Sequence, residues 1–441
     1  MKKTYLVFIL LFVFLNDLNA DYLSEYRNWL IVNKQNQFLD KDGNVSKELI
    51  SINKKNQLGE RFKWKSNPSL ERLHYQVFHF KQQHKNWDKH VIMHNNNPYK
   101  FKINLSKDKG DLIKSIDKEM QKTGLLSYLL FENDEIVIDK ISPKNRLGSL
   151  YNSETKWTTA SVGKSYTSYL LGHAICDGYI KDVDVRLNDW PLLKNTLYEN
   201  VKLIDLLNMA AGDQKLVKNN DLAKGKGIEK NPNVNTLKYH MEGYFKGSKP
   251  SKNQYNYSNL VANIILNYIW FKSEGNFQKL TNKVFKEKAK IKDQVYFLKI
   301  DRSKTQGRDN GVRYRYEVKD EDGPLRYSME ATRYDHLRIA KAMMDDWKND
   351  TCEGKYLKTI YERRIAKLRK KYDKTNAYTF GKSYGGQFHF DFGGFKDRKI
   401  FVLDGAYGQS ILIDMDNFKI VATNGIHMNY NWHKISLSAL K

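Results

Sequence analysis

Ser161-Val162-Gly163-Lys164-Ser165-Tyr166-Thr167-Ser168-Tyr169-Leu170-Leu171-Gly172-His173-Ala174-Ile175-Cys176-Asp177-Gly178 is the stretch whose reading decides the fold. It sets a hydroxyl and an amine three residues apart, on one face of what reads as the first turn of a helix. The bare pattern Ser-x-x-Lys carries little information here, because it recurs at Ser51, Ser106, Ser115, Ser153 and Ser438. What distinguishes Ser161 is the sequel: Tyr166, Tyr169, Leu170, His173 and Ala174 recur at helical spacing, and Asp177-Gly178 supplies a stop. Only this copy opens a long helix that faces a core.

A serine hydroxyl is a poor nucleophile at neutral pH and needs an adjacent base. Lys164 can serve if burial or neighbouring cations bring its amine below the usual value near 10.4. A serine at a helix start also turns free backbone N–H groups and the positive dipole end toward any oxyanion formed there. Thr158 and Thr159, just upstream, stand where caps are expected. The blander alternative makes Ser161 a cap and Lys164 a solvated charge, and two downstream elements weigh against it. The first is Tyr257-Ser258-Asn259 ahead of the apolar run Leu260 to Ile269. A phenol near a cationic lysine can lose its proton more easily and pass it to a leaving group, and Asn259 can hold Lys164 or a substrate carbonyl. By itself this triplet is also an ordinary helix start with Ser258 as cap. The second is Asp404-Gly405-Ala406-Tyr407-Gly408-Gln409 before the strand Ser410 to Ile413. Glycines beside a strand allow a substrate backbone to approach, and a free N–H there can complete an oxyanion hole. The alternative is a plain glycine turn.

The 441 residues, 40% hydrophobic and 13% aromatic, are enough for a substantial core. Met1-Lys2-Lys3, an apolar run from Tyr5 to Leu15 and the small Ala20 read as a cleaved signal peptide over 1–20. The run is shorter than the roughly 20 apolar residues a bilayer span needs, so the expectation is an exported protein, periplasmic or extracellular, without stable membrane insertion. The net charge of +25 admits a polyanionic partner, yet lysine and asparagine are spread along the whole chain, and no zinc-finger spacing or RNA-binding aromatic signature occurs. Nucleic acid is therefore not expected as a partner. Cys176 and Cys352 could pair in an oxidising compartment, although Cys176, inside the Ser161 helix, reads first as a small buried hydrophobe.

Residues 21–110 are polar and aromatic with little periodicity and read as an N-terminal extension to a domain over 111–441. A helix is expected over Asp111 to Gln121, then a hairpin of strands Leu125 to Phe131 and Glu135 to Ile141. Further helices are expected over Lys202 to Met209, after Tyr257 and over Asp335 to Trp347. The strands expected near the end are Gly385 to Phe390, Lys399 to Leu403, Ser410 to Ile413 and Lys419 to Thr423. The Lys-, Asn- and Gly-rich segment Asp213 to Gln254 reads as a surface excursion. Strands near both ends with helices between them argue for one sheet closed from two directions with an inserted helical region. His173, His336, His389 and His427 form no rival triad and read as structural. Asp345, Asp346, Asp414 and Asp416 form no metal-like cluster and read as solvated.

The order Ser-x-x-Lys, Tyr-x-Asn, glycine-rich strand resembles the serine hydrolases related to class C β-lactamases and penicillin-binding proteins. The resemblance extends to SVGKSYTSYLLGHAICDGYIKDVDVRLND (161–189), VKLIDLLNMAAG (201–212), YSNLVANIIL (257–266), 331–347 and 405–425, and covers the chain from about Asp111 onward. It implies an α+β, β-lactamase/DD-peptidase-like fold: a mostly antiparallel sheet flanked by helices, with an inserted helical subdomain and the site in the cleft between. It also implies Ser161 as the acylated nucleophile, Lys164 as proton acceptor and Tyr257 as general acid/base. Asn259 would support Lys164, the N–H groups of Ser161 and Ala406 would bind the oxyanion, Gly405 and Tyr407 would flank the substrate, and no metal or cofactor is needed. Penicillin-recognising members carry a lysine or histidine two residues before the glycine of the third motif, where this chain has Leu403. The Gly-Ala-Tyr-Gly-Gln version is closer to the branch of esterases and aminohexanoate-oligomer hydrolases. A small-molecule ester or linear amide is thus the expected substrate, ahead of a β-lactam or wall peptide. A non-catalytic module holding an anionic polymer is the alternative of another class.

Overall fold

The computed structural model describes residues 22–54, 66–82, 84–85, 87–106, 108–218, 221–222, 236–300, 306–309, 312–315, 319–368 and 377–441. The expected signal segment and residues 219–220 and 223–235 of the expected excursion lie outside them. The chain divides into two units, Met1–Lys85 and Asn86–Lys441. Strands at 89–92 and 102–103 are hydrogen-bonded into sheets of the second unit, so that unit begins ahead of the residue-111 boundary read from the sequence. The first unit is helical, with α1 (Tyr22–Val32), α2 (Lys47–Lys54) and α3 (Leu70–Gln82). Tyr26 and Leu30 of α1 are buried with Leu73, Tyr75 and Val77 of α3. Burial holds the His74 imidazole down to about 3, and its Nδ1 is hydrogen-bonded to the Tyr26 hydroxyl at 2.7 Å.

The second unit is built on strands β1 (Lys89–Ile92), β2 (Lys102–Ile103), β3 (Leu125–Glu132), β4 (Glu135–Ile141), β5 (Trp157–Thr158), β6 (Val295–Leu298), β7 (Met329–Ala331), β8 (Ile365–Ala366), β9 (Ser383–Gly385), β10 (Phe388–Phe390), β11 (Ile400–Gly405), β12 (Gln409–Asp414) and β13 (Lys419–Gly425). Nine of them form one sheet in the order β8-β9-β10-β11-β12-β13-β3-β4-β2, antiparallel except where β2 joins β4. The early hairpin β3-β4 thus closes onto the late strand β13, as the placement of strands near both ends predicts. Asn133 and Asp134 take positive φ (51° and 59°) in its two-residue turn, a conformation that asparagine and aspartate tolerate and that matches strand twist. The single strand expected over Gly385 to Phe390 is instead a hairpin, because Gly386 and Gln387 both turn left-handed (φ 54° and 69°). A second sheet has the order β1-β6-β7-β5.

Helices of this unit include α4 (Gly110–Lys122), α5 (Val162–Cys176), α6 (Asn259–Lys272), α7 (Arg333–Lys348), α8 (Cys352–Glu362) and the short α9 (Ala377–Phe380). α5 is the central element, buried from Val162 to Ala174 and packed against β11, α6 and α8. It is enclosed on every side, and the hydroxyls of its Ser165, Thr167 and Ser168 are hydrogen-bonded to Gln387 O, Gly163 O and the Tyr356 hydroxyl. One core gathers α5, α6 and α7 against Leu129, Phe401, Leu403 and Ile411, and a second holds Ile116 and Met120 of α4 with Tyr128, Val402 and Leu412.

Two expectations are corrected here. Cys176 and Cys352 are joined in a disulfide (Cα–Cα 5.8 Å), tying the end of α5 to the start of α8, a helix the sequence reading did not anticipate. Asp346 and Asp414 are fully buried, not solvated: Asp346 accepts the Thr351 hydroxyl at 2.8 Å and pairs with Lys288 at 2.5 Å, and Asp414 pairs with Arg398. A buried carboxylate without such partners would incur several kcal/mol of uncompensated desolvation.

Candidate active site

Ser161 stands at the head of α5, one residue after Ala160, which is held at φ +44°. A non-glycine residue in that region carries strain of roughly 1–3 kcal/mol and persists only where its surroundings fix it. Neither expected cap serves α5: the Thr159 hydroxyl accepts Met329 N at 2.8 Å, and the Thr158 hydroxyl accepts Ala160 N at 3.3 Å. Both threonines fasten the strand that leads to Ser161 instead.

One turn into α5, Lys164 is wholly buried, and its Nζ donates to Ser161 Oγ at 2.9 Å and Asn259 Oδ1 at 2.7 Å. The same Nζ lies 4.8 Å from the centre of the Tyr257 ring. The Ser161 side chain lies close enough to the Tyr257 phenol to favour its ionised form. Ser161, Lys164, Tyr257 and Asn259 are thus brought into mutual contact from two distant pieces of chain. Ser258 caps α6 by accepting Leu260 N at 3.2 Å, which frees Asn259 to face inward. Burial pushes the Tyr257 phenol well above its ordinary value, with Tyr327 adding to the rise and the nearby Ser161 side chain opposing it. The expected easing of its ionisation by Lys164 is therefore outweighed, and the resting tyrosine is a neutral donor.

The third element closes on Ser161 through Gly405 at the end of β11. A Cβ there would lie 2.6 Å from Thr159 O and 3.3 Å from Ser161 N, so only a glycine lets this strand end approach the start of α5. Ala406 follows directly, and Tyr407, half-buried, takes the left-handed position of the turn (φ 66°, ψ 10°). Leu403, two residues earlier, is fully buried in the core and offers no charge to a substrate. Among the described residues no group of three or more His, Cys, Asp or Glu side chains could hold a metal ion.

Sequence reasoning missed the second layer. Tyr327, ahead of β7, donates its hydroxyl to Asn259 Oδ1 at 2.7 Å and lays its ring 3.8 Å from Lys164 Nζ. A signal existed: Asn259, Asn263 and Asn267 recur every fourth residue on an otherwise apolar helix, and a buried amide row needs partners. Beyond Tyr257, Lys367 Nζ lies 2.9 Å from His389 Nδ1, whose ring centre is 6.4 Å from that of Tyr257. His389, read as structural, thus borders the site, whereas His336 is bonded to Tyr166 and His173 to Glu353, away from it.

Asp404 is buried beside Gly405. Burial pushes its carboxyl up to about 7, opposed by the Lys367 cation and the N–H groups of Tyr378 and Ala377 at the start of α9. A carboxyl whose folded value exceeds its unfolded value, 3.8, contributes stability that is complete below the unfolded value and lost as pH rises through the folded one. Asp404→Asn, which keeps the neutral shape, is expected to gain stability relative to wild type between about pH 4 and pH 7, with the difference constant above that. Denaturant midpoints of the two proteins across that range check this, since other titrating groups cancel in the difference; a pH-independent difference would contradict it.

No protein-family model matches the chain, and no curated protein matches its sequence. Solved structures do. A Bacillus anthracis protein provisionally described as a 6-aminohexanoate-dimer hydrolase aligns with TM-score 0.58 and 12% identity over 86% of this chain and 94% of its own. A penicillin-binding protein homologue from Pyrococcus abyssi, described as octameric, aligns with TM-score 0.52 and 17% identity over 76% of each chain. EstCE1, described as a hydrolase with promiscuous acyltransferase activity, aligns with TM-score 0.53 and 14% identity over 75% of this chain and 97% of its own. The sheet order, the buried central helix and these likenesses agree: the chain has the α+β fold of the β-lactamase and penicillin-binding-protein serine hydrolases.

Proposed function

We propose that the protein is a serine hydrolase that cleaves an ester or small linear amide through an acyl-Ser161 intermediate. The observation that carries this reading is the contact of one hydroxyl with both an amine and a phenol, Ser161 with Lys164 and Tyr257, at the head of a buried helix. In acylation, Ser161 Oγ attacks the carbonyl carbon as its proton passes to Lys164 in the neutral amine form. The N–H groups of Ser161 and Ala406 hold the oxyanion. Tyr257 then gives its proton to the departing alcohol or amine and recovers one from Lys164. Water enters against the acyl carbon by the same route in reverse, releasing the acid and restoring Ser161. A charge is absent at Leu403, which favours substrates without a carboxylate over β-lactams and wall peptides. Two structural neighbours, one described as a 6-aminohexanoate-dimer hydrolase and one as a hydrolase with promiscuous acyltransferase activity, support the same preference. Export, with Met1 to Ala20 as the signal, fits the disulfide, since such bonds persist in oxidising compartments. Among the described residues no helix is long and apolar enough to cross a membrane.

Assaying p-nitrophenyl esters, short linear amides and a chromogenic cephalosporin on one purified sample tests the substrate class. Turnover of an ester or amide with the cephalosporin left intact is expected. Preference for the cephalosporin would transfer the assignment to a β-lactamase, and no turnover of any would favour a binding module.

A further inference from the structure

The acyl-serine reading leaves open what holds Lys164 in one place and one state of charge. A lysine side chain has four rotatable bonds, and a buried ammonium needs an acceptor for each of its three protons. Ser161 Oγ and Asn259 Oδ1 supply two of them. The Tyr327 ring lies under the amine with its centre 3.8 Å from Nζ, and the same residue's hydroxyl donates to Asn259 Oδ1 at 2.7 Å. Tyr327 therefore touches Lys164 twice, directly through its ring and indirectly through Asn259.

Tyr327 is itself held by dedicated partners. Its backbone N donates to Asn263 Oδ1 at 3.0 Å. Two residues earlier, Leu325 is gripped at both ends by Asn267, whose Oδ1 accepts Leu325 N at 3.1 Å and whose Nδ2 donates to Leu325 O at 2.9 Å. On the other side, Gly163 is bare, so that Tyr327 O can lie where a Cβ would otherwise be, 2.1 Å away. One row of α6 amides and one missing side chain on α5 thus converge on a single tyrosine, and all three asparagines are buried.

We propose that Tyr327 is a positioning residue for the acylation step, its ring stabilising the ammonium form of Lys164 and its hydroxyl fixing the Asn259 amide that holds it. This inference rests on the acyl-serine reading. The titratable groups that face Lys164 are Tyr257 from the segment before α6 and Tyr327 from the segment before β7, with Asp404, Lys367 and His389 lying beyond Tyr257.

The test is the rate at which a fluorophosphonate labels Ser161, followed across pH in wild type, Tyr327→Phe and Tyr327→Leu. Leucine keeps the pocket dry but removes the ring quadrupole, so Lys164 loses its proton more readily and the rising limb moves to lower pH by about 1 unit. The plateau falls by about 10-fold because the amine is less well placed. Phenylalanine keeps the face and restores the limb to its wild-type position with a smaller loss in plateau, a rescue that a purely structural role would not produce. If wild type labels and the Tyr327→Leu limb coincides with it, the positioning role is wrong while the hydrolase reading stands. If wild-type Ser161 takes no label at any pH, the hydrolase reading fails and this inference falls with it.

Discussion

Lys164→Met is expected to lower kcat/KM for ester hydrolysis by about 10³-fold while leaving the protein folded and no less stable. That loss corresponds to roughly 4 kcal/mol of barrier, within what a positioned proton acceptor supplies. The stability half of the expectation follows from burial. Lys164 is wholly enclosed between the rings of Tyr257 and Tyr327, and a methionine of similar length fills that space without the cost of keeping a charge out of water. Initial rates and thermal midpoints of the two proteins check both halves together. A variant that lost activity only because it unfolded would show that Lys164 is a structural cation and not the base.

Gly163→Ala is expected to be harmful at a helix position where alanine ordinarily helps. Intrinsic propensity favours alanine over glycine by about 1 kcal/mol. Against that, the new Cβ would stand 2.1 Å from Tyr327 O and 2.8 Å from Thr159 Oγ1, and the first of these is backbone that cannot rotate away. Overpacking of this kind costs roughly 1–3 kcal/mol or more, so the clash wins. It also pushes residue 327 off Lys164 and disturbs the Thr159 hydroxyl that holds Met329 N. The expected result is a lower melting temperature together with an acylation rate reduced by about 10²-fold. A more stable and fully active variant would mean that α5 and the 325–329 segment are not packed as described.

The large pattern of the fold was legible because it rests on periodicity. α5, α6 and α7 were found within a few residues of their ends, and so were β3, β4 and the three last strands of the sheet. The order of motifs was legible too, and the structure draws Ser161, Lys164, Tyr257 and Asn259 into contact. What escaped was set by tertiary packing. The pairing of Cys176 with Cys352 needs the end of α5 to meet the start of α8 across 176 residues of chain, and no local signal carries that. The burial of Asp346 and Asp414 depends on Lys288 and Arg398 arriving from elsewhere. The state of Tyr257 was misjudged because proximity to Lys164 is visible in a motif whereas desolvation by the surrounding tyrosines is not. Tyr327 stands in no recognisable pattern of its own, and only the asparagines at every fourth position of α6 hinted that something polar had to lie opposite them.

The central claim is that the Ser161 hydroxyl becomes covalently acylated, and trapping that species tests it most directly. Wild type and Ser161→Ala would be mixed with p-nitrophenyl acetate, quenched in acid within the first turnover and digested for peptide mass mapping. An acetyl group on the wild-type peptide that contains Ser161, absent from the same peptide of the variant, is the predicted result. Ester turnover that persists in Ser161→Ala, or an acetyl group found only on lysines remote from the start of α5, would contradict it.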